Sequence, residues 1–226
     1  MKPEPNFENF NIILETICNI IEFRGVESRF HQNRIQGFTN YLACTIMEYY
    51  PEYGLTPDRI ELLTYATVFH DIGKIAIPDS ILLKAGRLTD REFDVMKSHT
   101  THGCTILEQI RPFTGEEFFS CAYDICRHHH ERYDGRGYPD CLSGEDISIE
   151  AQIASLADVY DALVSDRVYK AAYSTDKAFD MIINGECGTF SEKILTCFKE
   201  CRHEMEELAD GTKAIEISER GGYHSY

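Results

Sequence analysis

The sequence predicts an all-α fold, a helical bundle in one unit, on three observations. Apolar residues recur at three- and four-residue spacing through most of the chain, helix-start signals stand between the periodic segments, and no stretch alternates apolar and polar residues over a useful strand length. With 226 residues and 43% hydrophobic content the chain can build one sizeable core. Neither an internal repeat nor a low-complexity linker divides it.

Taken in order, residues 6–23 place Phe10, Ile13, Leu14, Ile17, Ile20 and Ile21 at amphipathic spacing, which predicts a packing helix within 1–25 ahead of a main domain over 26–209. Gly25 interrupts the pattern. It resumes over 26–50 with Phe30, Ile35, Phe38, Leu42 and Ile46, and this second helix is expected to carry Glu27 and His31 before Pro51 and Gly54 end it. Thr56 as N-cap and Pro57 at the first helical position start the helix that leads to His70. Pro78 and Gly86 bracket the apolar group Ile81, Leu82 and Leu83, the pattern of a compact connection.

Thr89 and Glu92 have capping-box spacing and open a helix expected to run through Phe93, Met96, His99, Gly103, Ile106 and Leu107 until Pro112 and Gly115. Residues 116–132 read as another helix, and Gly135, Gly137, Pro139 and Gly144 then require an ordered loop. A helix over 149–168 has Ile153, Leu156, Ala157, Tyr160 and Leu163 on its apolar face. Ser174 starts one more, a last amphipathic helix spans 191–208, and Asp210-Gly211 introduces a polar tail over 210–226.

Asp and Glu outnumber Lys and Arg by 38 to 22, a net charge of -16, which argues against bulk binding to nucleic-acid polymers or an anionic membrane. No apolar run approaches a bilayer span and the N-terminus lacks a signal peptide's apolar region, so a soluble, cytoplasmic protein is expected. Nine scattered cysteines without a Cys-x-x-Cys pair predict reduced thiols, neither a disulfide framework nor a zinc knuckle.

Against this background some polar residues stand out. His70 and Asp71 follow an apolar helical segment at 60–69, where a lone pair of this kind usually means a histidine bonded to a carbonyl and an aspartate capping the turn at Gly73. Glu27 and His31 are four apart and leave one helix face together, as two ligands of one cluster or as a surface ion pair. His128, His129 and His130 are consecutive, so at least one must point toward the core. Asp158 and Asp161 share a face of a helix apolar enough that burying them requires cationic partners. Together, Glu27, His31, His70, Asp71, His99, His129, His130 and Asp158 offer imidazole and carboxylate ligands and no thiolate. That set suits two or three divalent ions of the iron or manganese type better than a structural zinc, with Asp71 able to bridge two ions and a bound water acidified into a nucleophile.

These residues resemble the HD-GYP family, a branch of the HD superfamily of metal-dependent phosphohydrolases. The resemblance spans Glu27 to about Phe190 and is carried by His70-Asp71-Ile72-Gly73-Lys74-Ile75 with Pro78-Asp79, by His129-His130-Glu131 with Asp134-Gly135-Arg136-Gly137-Tyr138-Pro139, and by Asp158-Val159-Tyr160-Asp161-Ala162-Leu163 with Arg167-Val168-Tyr169-Lys170. It implies hydrolysis of cyclic di-GMP to pGpG and often to GMP, with metal ligands at His70, Asp71, His99, His129, His130 and Asp158, and at His31 and Glu27, the last as in the three-metal variety. It implies that Arg167 and Lys170 grip phosphate, and that the loop over 135–139, Tyr138 above all, contributes to the rim of the site and to contacts with GGDEF-domain cyclases. Lys74 reads either as a charge-stabilising group or leaving-group acid at the cluster or as a surface ion pair, and the loop glycines equally as backbone geometry.

The sequence departs from the family pattern at Ala85, Cys141, Gln152 and Val168, where proline, glycine, arginine and proline are usual. The residues before Glu27 suffice for one helix, so regulation is expected from a partner, metal supply, redox state or substrate level. Two other classes remain open from sequence: a silent cyclic-dinucleotide receptor or GGDEF-docking module, and a phosphohydrolase acting on cyclic GMP-AMP or another nucleotide.

Overall fold

Helix signals in the sequence become helices wherever a capping side chain and an apolar stripe coincide. The computed structural model describes residues 30–166 and 171–222, with side chains described as far as residue 212. The helices are α1 (His31–Tyr49), α2 (Pro57–Ala66), α3 (Asp79–Leu82), α4 (Asp90–Lys97), α5 (His99–Ile110), α6 (Glu116–His128), α7 (Ile149–Val164), α8 (Thr175–Ile183), α9 (Glu192–Glu200) and α10 (Arg202–Gly222). Short 3-10 turns over Thr67–Phe69 and Ile72–Ala76 connect α2 to α3. There is no strand among the described residues, and one isolated bridge pairs Asp134 with Ser143. The packing helix expected within residues 1–25 lies outside the described residues.

The starts of these helices are set locally. The Thr56 side chain accepts the Arg59 N–H with Pro57 at the first position of α2, and Thr89 and Glu92 form both halves of the capping box of α4. Ser148, Ser174 and Ser191 cap α7, α8 and α9 by accepting the N–H of Ala151, Lys177 and Ile194. Each such cap is worth about 1 kcal/mol.

The core forms where α7 is buried on nearly all sides by α1, α6 and α8. Phe38 of α1 meets Tyr160 of α7 edge-on at 5.0 Å, and Tyr160 meets Phe198 of α9 at 5.4 Å. Phe38, Leu42, Ile46, Leu156 and Phe198 are fully buried, each contributing about 1.5–3 kcal/mol of apolar burial. Gly37 lets α10 approach α1, because a Cβ there would stand 2.2 Å from Leu208 Cδ2.

Several helix boundaries differ from those expected, among them the ends of α6 at His128 and α7 at Val164, short of 132 and 168. The helix opened by Thr89 stops at Lys97, and His99 begins a separate helix rather than lying near the middle of one. Ser98 Oγ donates to the Val95 carbonyl at 2.5 Å and His99 Nδ1 to the Met96 carbonyl at 2.7 Å, so side chains take the carbonyls that would have continued the ladder. The helix expected over 191–208 is broken at Cys201 into α9 and α10. The segment read as a polar tail is helical to Gly222, because the turn through Asp210-Gly211 is held by Met205 and Ala209 in the core and by the Thr212 hydroxyl donating to Leu208 O at 2.7 Å. That anchoring outweighs the roughly 1 kcal/mol penalty of a mid-helix glycine.

Among the described residues no helix is long and apolar enough to cross a membrane, and every cysteine is a free thiol.

Candidate metal centre

The 3-10 turn after α2 delivers His70 and Asp71 into the core, both buried. His70 Nδ1 donates to the Thr67 carbonyl at 2.9 Å. A carbonyl can only accept, so the proton is fixed on Nδ1 and Nε2 presents its lone pair, 3.1 Å from Asp71 Oδ2 and 3.8 Å from Asp158 Oδ1. The bonded-histidine reading of His70 thus describes one edge of its ring, while the other edge faces carboxylates.

The same arrangement recurs around Asp71. His99 Nδ1 donates to Met96 O, leaving Nε2 3.2 Å from Asp71 Oδ1. His129 Nδ1 donates to Ile125 O at 3.0 Å, leaving Nε2 3.9 Å from the same oxygen. His99 Nε2 and His129 Nε2 therefore face each other at 3.4 Å with both protons committed elsewhere. Two lone pairs so placed in a buried site repel unless a cation lies between them, and imidazoles that ligate metals commonly donate their other N–H to a carbonyl in this way.

Donor atoms of Asp71, His99, His129 and His130 all lie within 4.8 Å of one another, and so do those of His70, Asp71 and Asp158. Asp71 belongs to both groups, so the chain offers two adjoining pockets joined by one carboxylate. Burial and the neighbouring imidazoles push His129 and His130 well below the usual histidine pKa, keeping both neutral. Burial opposes ionisation of Asp71, but the Lys74 ammonium against it outweighs that and holds its carboxyl well below the ordinary range. Neutral imidazoles around an ionised carboxylate, with no sulfur, fit divalent cations.

Of the three consecutive histidines, only His129 and His130 turn inward. His128 is held by Asp124 at 2.7 Å and Asp140 at 3.0 Å. The two carboxylates of α7 also divide. Asp158 faces His70, whereas Asp161 accepts from His31 Nδ1 at 2.7 Å and from Arg34 Nε. His31 thereby stands beside His70, their ring centroids 5.5 Å apart, outside both donor groups. Lys74 Nζ lies against Asp71 Oδ2. Glu27, Arg167 and Lys170 lie outside the described residues.

Sequence reasoning assigned no role to Glu131 or Arg34. The buried Glu131 carboxylate accepts the Asp140 N–H at 2.7 Å and the Leu142 N–H at 3.1 Å, and so clamps the loop over 135–141. Gly137 packs on the Glu131 backbone, where a Cβ would stand 2.3 Å from Glu131 Cα. The clamp places the Tyr138 ring in a stack on His130 at 4.7 Å. A carboxylate directly after the inward histidines and before a glycine-rich segment was the available signal for Glu131.

Two close backbone positions yield predictions. The turn Ile72–Ala76 packs on α5 at Gly73, where a Cβ would stand 1.8 Å from His99 O and 2.4 Å from Gly103 N. Gly73→Ala is expected to destabilise the protein by about 1–3 kcal/mol or more and to displace His99, measured by chemical denaturation and metal affinity. Cys141 is left-handed, φ +54°, at the position where the resembled family has glycine. Cys141→Gly is expected to stabilise the protein by about 1 kcal/mol, read as a rise in the denaturation midpoint.

A family model described as an HD domain matches residues 31–187. A cyclic di-GMP phosphodiesterase of Vibrio cholerae serotype O1 is 41% identical over 191 residues, covering 83% of this chain and 39% of that protein. A 3'3'-cGAMP-specific phosphodiesterase 2 of the same organism is 32% identical over 199 residues, covering 84% of this chain and 36% of that protein. The chain thus spans less than half the length of these curated relatives. Among solved structures, an HDG"Y"P protein from Bdellovibrio bacteriovorus shares the fold with a TM-score of 0.56 at 16% identity, covering 92% of this chain and 66% of that one. With this match across the buried His-Asp cluster and the Gly-Tyr-Pro loop beside it, the chain belongs to the HD domain family.

Proposed function

We propose that this chain is a metal-dependent phosphodiesterase that hydrolyses a cyclic dinucleotide, cyclic di-GMP foremost, to pGpG, GMP or both. The observation that carries the reading is the set of buried imidazoles, each with Nδ1 tied to an acceptor, whose Nε2 atoms gather around Asp71. His70, Asp71 and Asp158 would hold one ion and Asp71, His99, His129 and His130 a second, with His31 and Glu27 available to a third. The all-nitrogen-and-oxygen donor set favours iron or manganese. Such ions supply Lewis-acid polarisation of a phosphate oxygen and acidify a water to near neutral pH.

The chain's own residues do the rest. Lys74, against Asp71, holds a positive charge beside the cluster, where it neutralises developing phosphate charge or protonates the departing 3′ oxygen. Arg167 grips a phosphate through its planar fork and Lys170 adds a point charge. Tyr138, fixed on His130 by the clamped loop, lines the substrate's side of the centre. The loop over 135–139, clamped by Glu131, is offered in this reading as a surface for a GGDEF-domain partner, and a cytoplasmic location belongs to the same reading.

A second reading, 3'3'-cGAMP as the substrate, is favoured by the similarity to the phosphodiesterase specific for it. Protein reconstituted anaerobically with Fe(II) or Mn(II) and given both dinucleotides separates them. Faster release of pGpG or GMP from cyclic di-GMP is expected, preference for 3'3'-cGAMP would select the second reading, and cleavage of neither by metal-loaded protein would overturn both.

A further inference from the structure

The helix before His99 has apolar side chains that the fold does not use. α4 buries none of its residues; it is held by its capping box and by the ion pair of Lys84 with Glu92 at 2.5 Å. Phe93 is 46% exposed on it. Yet Phe93 is not isolated, for its ring meets Tyr138 edge-on at 6.2 Å, and Tyr138 in turn stacks on His130. A continuous aromatic run therefore leads from a residue of the metal centre outward to solvent. Lys97, one turn after Phe93, holds Nζ 5.3 Å from the Phe93 centroid and 6.0 Å from that of Tyr138, with Asp94 at 2.7 Å restraining the ammonium.

We propose that the exposed Phe93 ring is a stacking platform for a guanine base, with Tyr138 standing edge-on beside it, and that Lys97 donates to the base's O6/N7 edge. The inference rests on the cyclic-dinucleotide reading and adds to it the residues that hold the base. Stacking on an exposed ring accepts any base, because every base has a π-face. Discrimination comes from Lys97, which can only donate: guanine presents two acceptors, O6 and N7, whereas adenine presents a donor at N6 beside its N7. Tyr138 links Phe93 to His130 of the cluster, so the base platform adjoins the place where phosphate would be engaged.

The test is calorimetric binding of GMP, AMP and ribose 5-phosphate to the metal-loaded full chain, alongside cyclic di-GMP turnover by the same preparations. GMP is expected to bind more tightly than ribose 5-phosphate. Phe93→Ala should weaken GMP at least about fivefold, leave ribose 5-phosphate where it was, and be restored by Phe93→Tyr. Lys97→Met should erase the preference for GMP over AMP. Equal wild-type affinity for GMP and ribose 5-phosphate, or equal weakening of both by Phe93→Ala, overturns the platform. Since α4 buries nothing, an unchanged denaturation midpoint will confirm that Phe93→Ala is folded. Loss of GMP affinity in Phe93→Ala from a protein that cleaves no cyclic dinucleotide would keep the platform and sink the proposed reaction. Cleavage of cyclic di-GMP with GMP affinity indifferent to Phe93 would do the reverse.

Discussion

Asp71→Asn is expected to lower bound metal and phosphodiester turnover together, each by more than about a hundredfold. Groups that only orient a ligand typically change metal affinity or activity by about 10–100-fold. Asp71 should exceed that range because its two oxygens serve both donor groups, Oδ1 facing His99 and His129 and Oδ2 facing His70 and Lys74. Asparagine keeps the shape but removes the charge that compensates the cations and presents an amide N–H₂ to one side. The check is metal content by elemental analysis with turnover on the same sample. Retained metal with lost turnover would move Asp71 from ligand to purely chemical work, and unchanged turnover would refute its assignment.

The second large effect concerns stability. Asp161→Ala leaves Arg34 buried without its carboxylate and His31 without its orienting partner, in a pair whose side chains are 4% and 2% exposed. Removing one member of a buried ion pair costs about 3–5 kcal/mol, a large share of the roughly 5–15 kcal/mol of a typical domain. Replacing Arg34 by Met in the same chain should recover part of the loss, since an apolar pair needs no compensation. Burial pushes the Asp161 carboxyl up, but His31 and Arg34 outweigh it and hold it well below the usual range. A carboxyl depressed in the folded state stabilises above its unfolded pKa of about 4 and loses that contribution as pH falls through the folded value. The gap in denaturation midpoint between wild type and Asp161→Ala should therefore be full at pH 7 and narrow below about pH 4; a gap independent of pH would contradict the role of the charge.

What could be read from sequence follows the range of the interaction. Thr56, Thr89, Ser174 and Ser191 cap their helices through groups three residues away, so their roles are visible in any short window. The break at Ser98 was not visible, because it depends on Ser98 and His99 choosing carbonyls over the continuing ladder. α6 ends at His128 and leaves His129 and His130 in the turn that follows, so only the position of the core decides which two of the three turn inward. Asp158 and Asp161 share a face by spacing, yet the approach of α1 sends one to Arg34 and leaves the other to His70. The apolar character of α7 did announce the cationic partner of Asp161, which is Arg34. The glycines at 73 and 137 record close backbone contacts with segments distant in sequence or turned back on themselves, which no local pattern encodes.

The most direct test of the central claim, that the imidazoles gathered around Asp71 hold divalent ions for phosphodiester hydrolysis, is anaerobic reconstitution with metal counted per chain and products of cyclic di-GMP followed together. At least two ions per chain, with pGpG and GMP appearing in proportion to occupancy and abolished by a chelator, is the expected result. Cleavage that continues at full rate after the metal is stripped would contradict it.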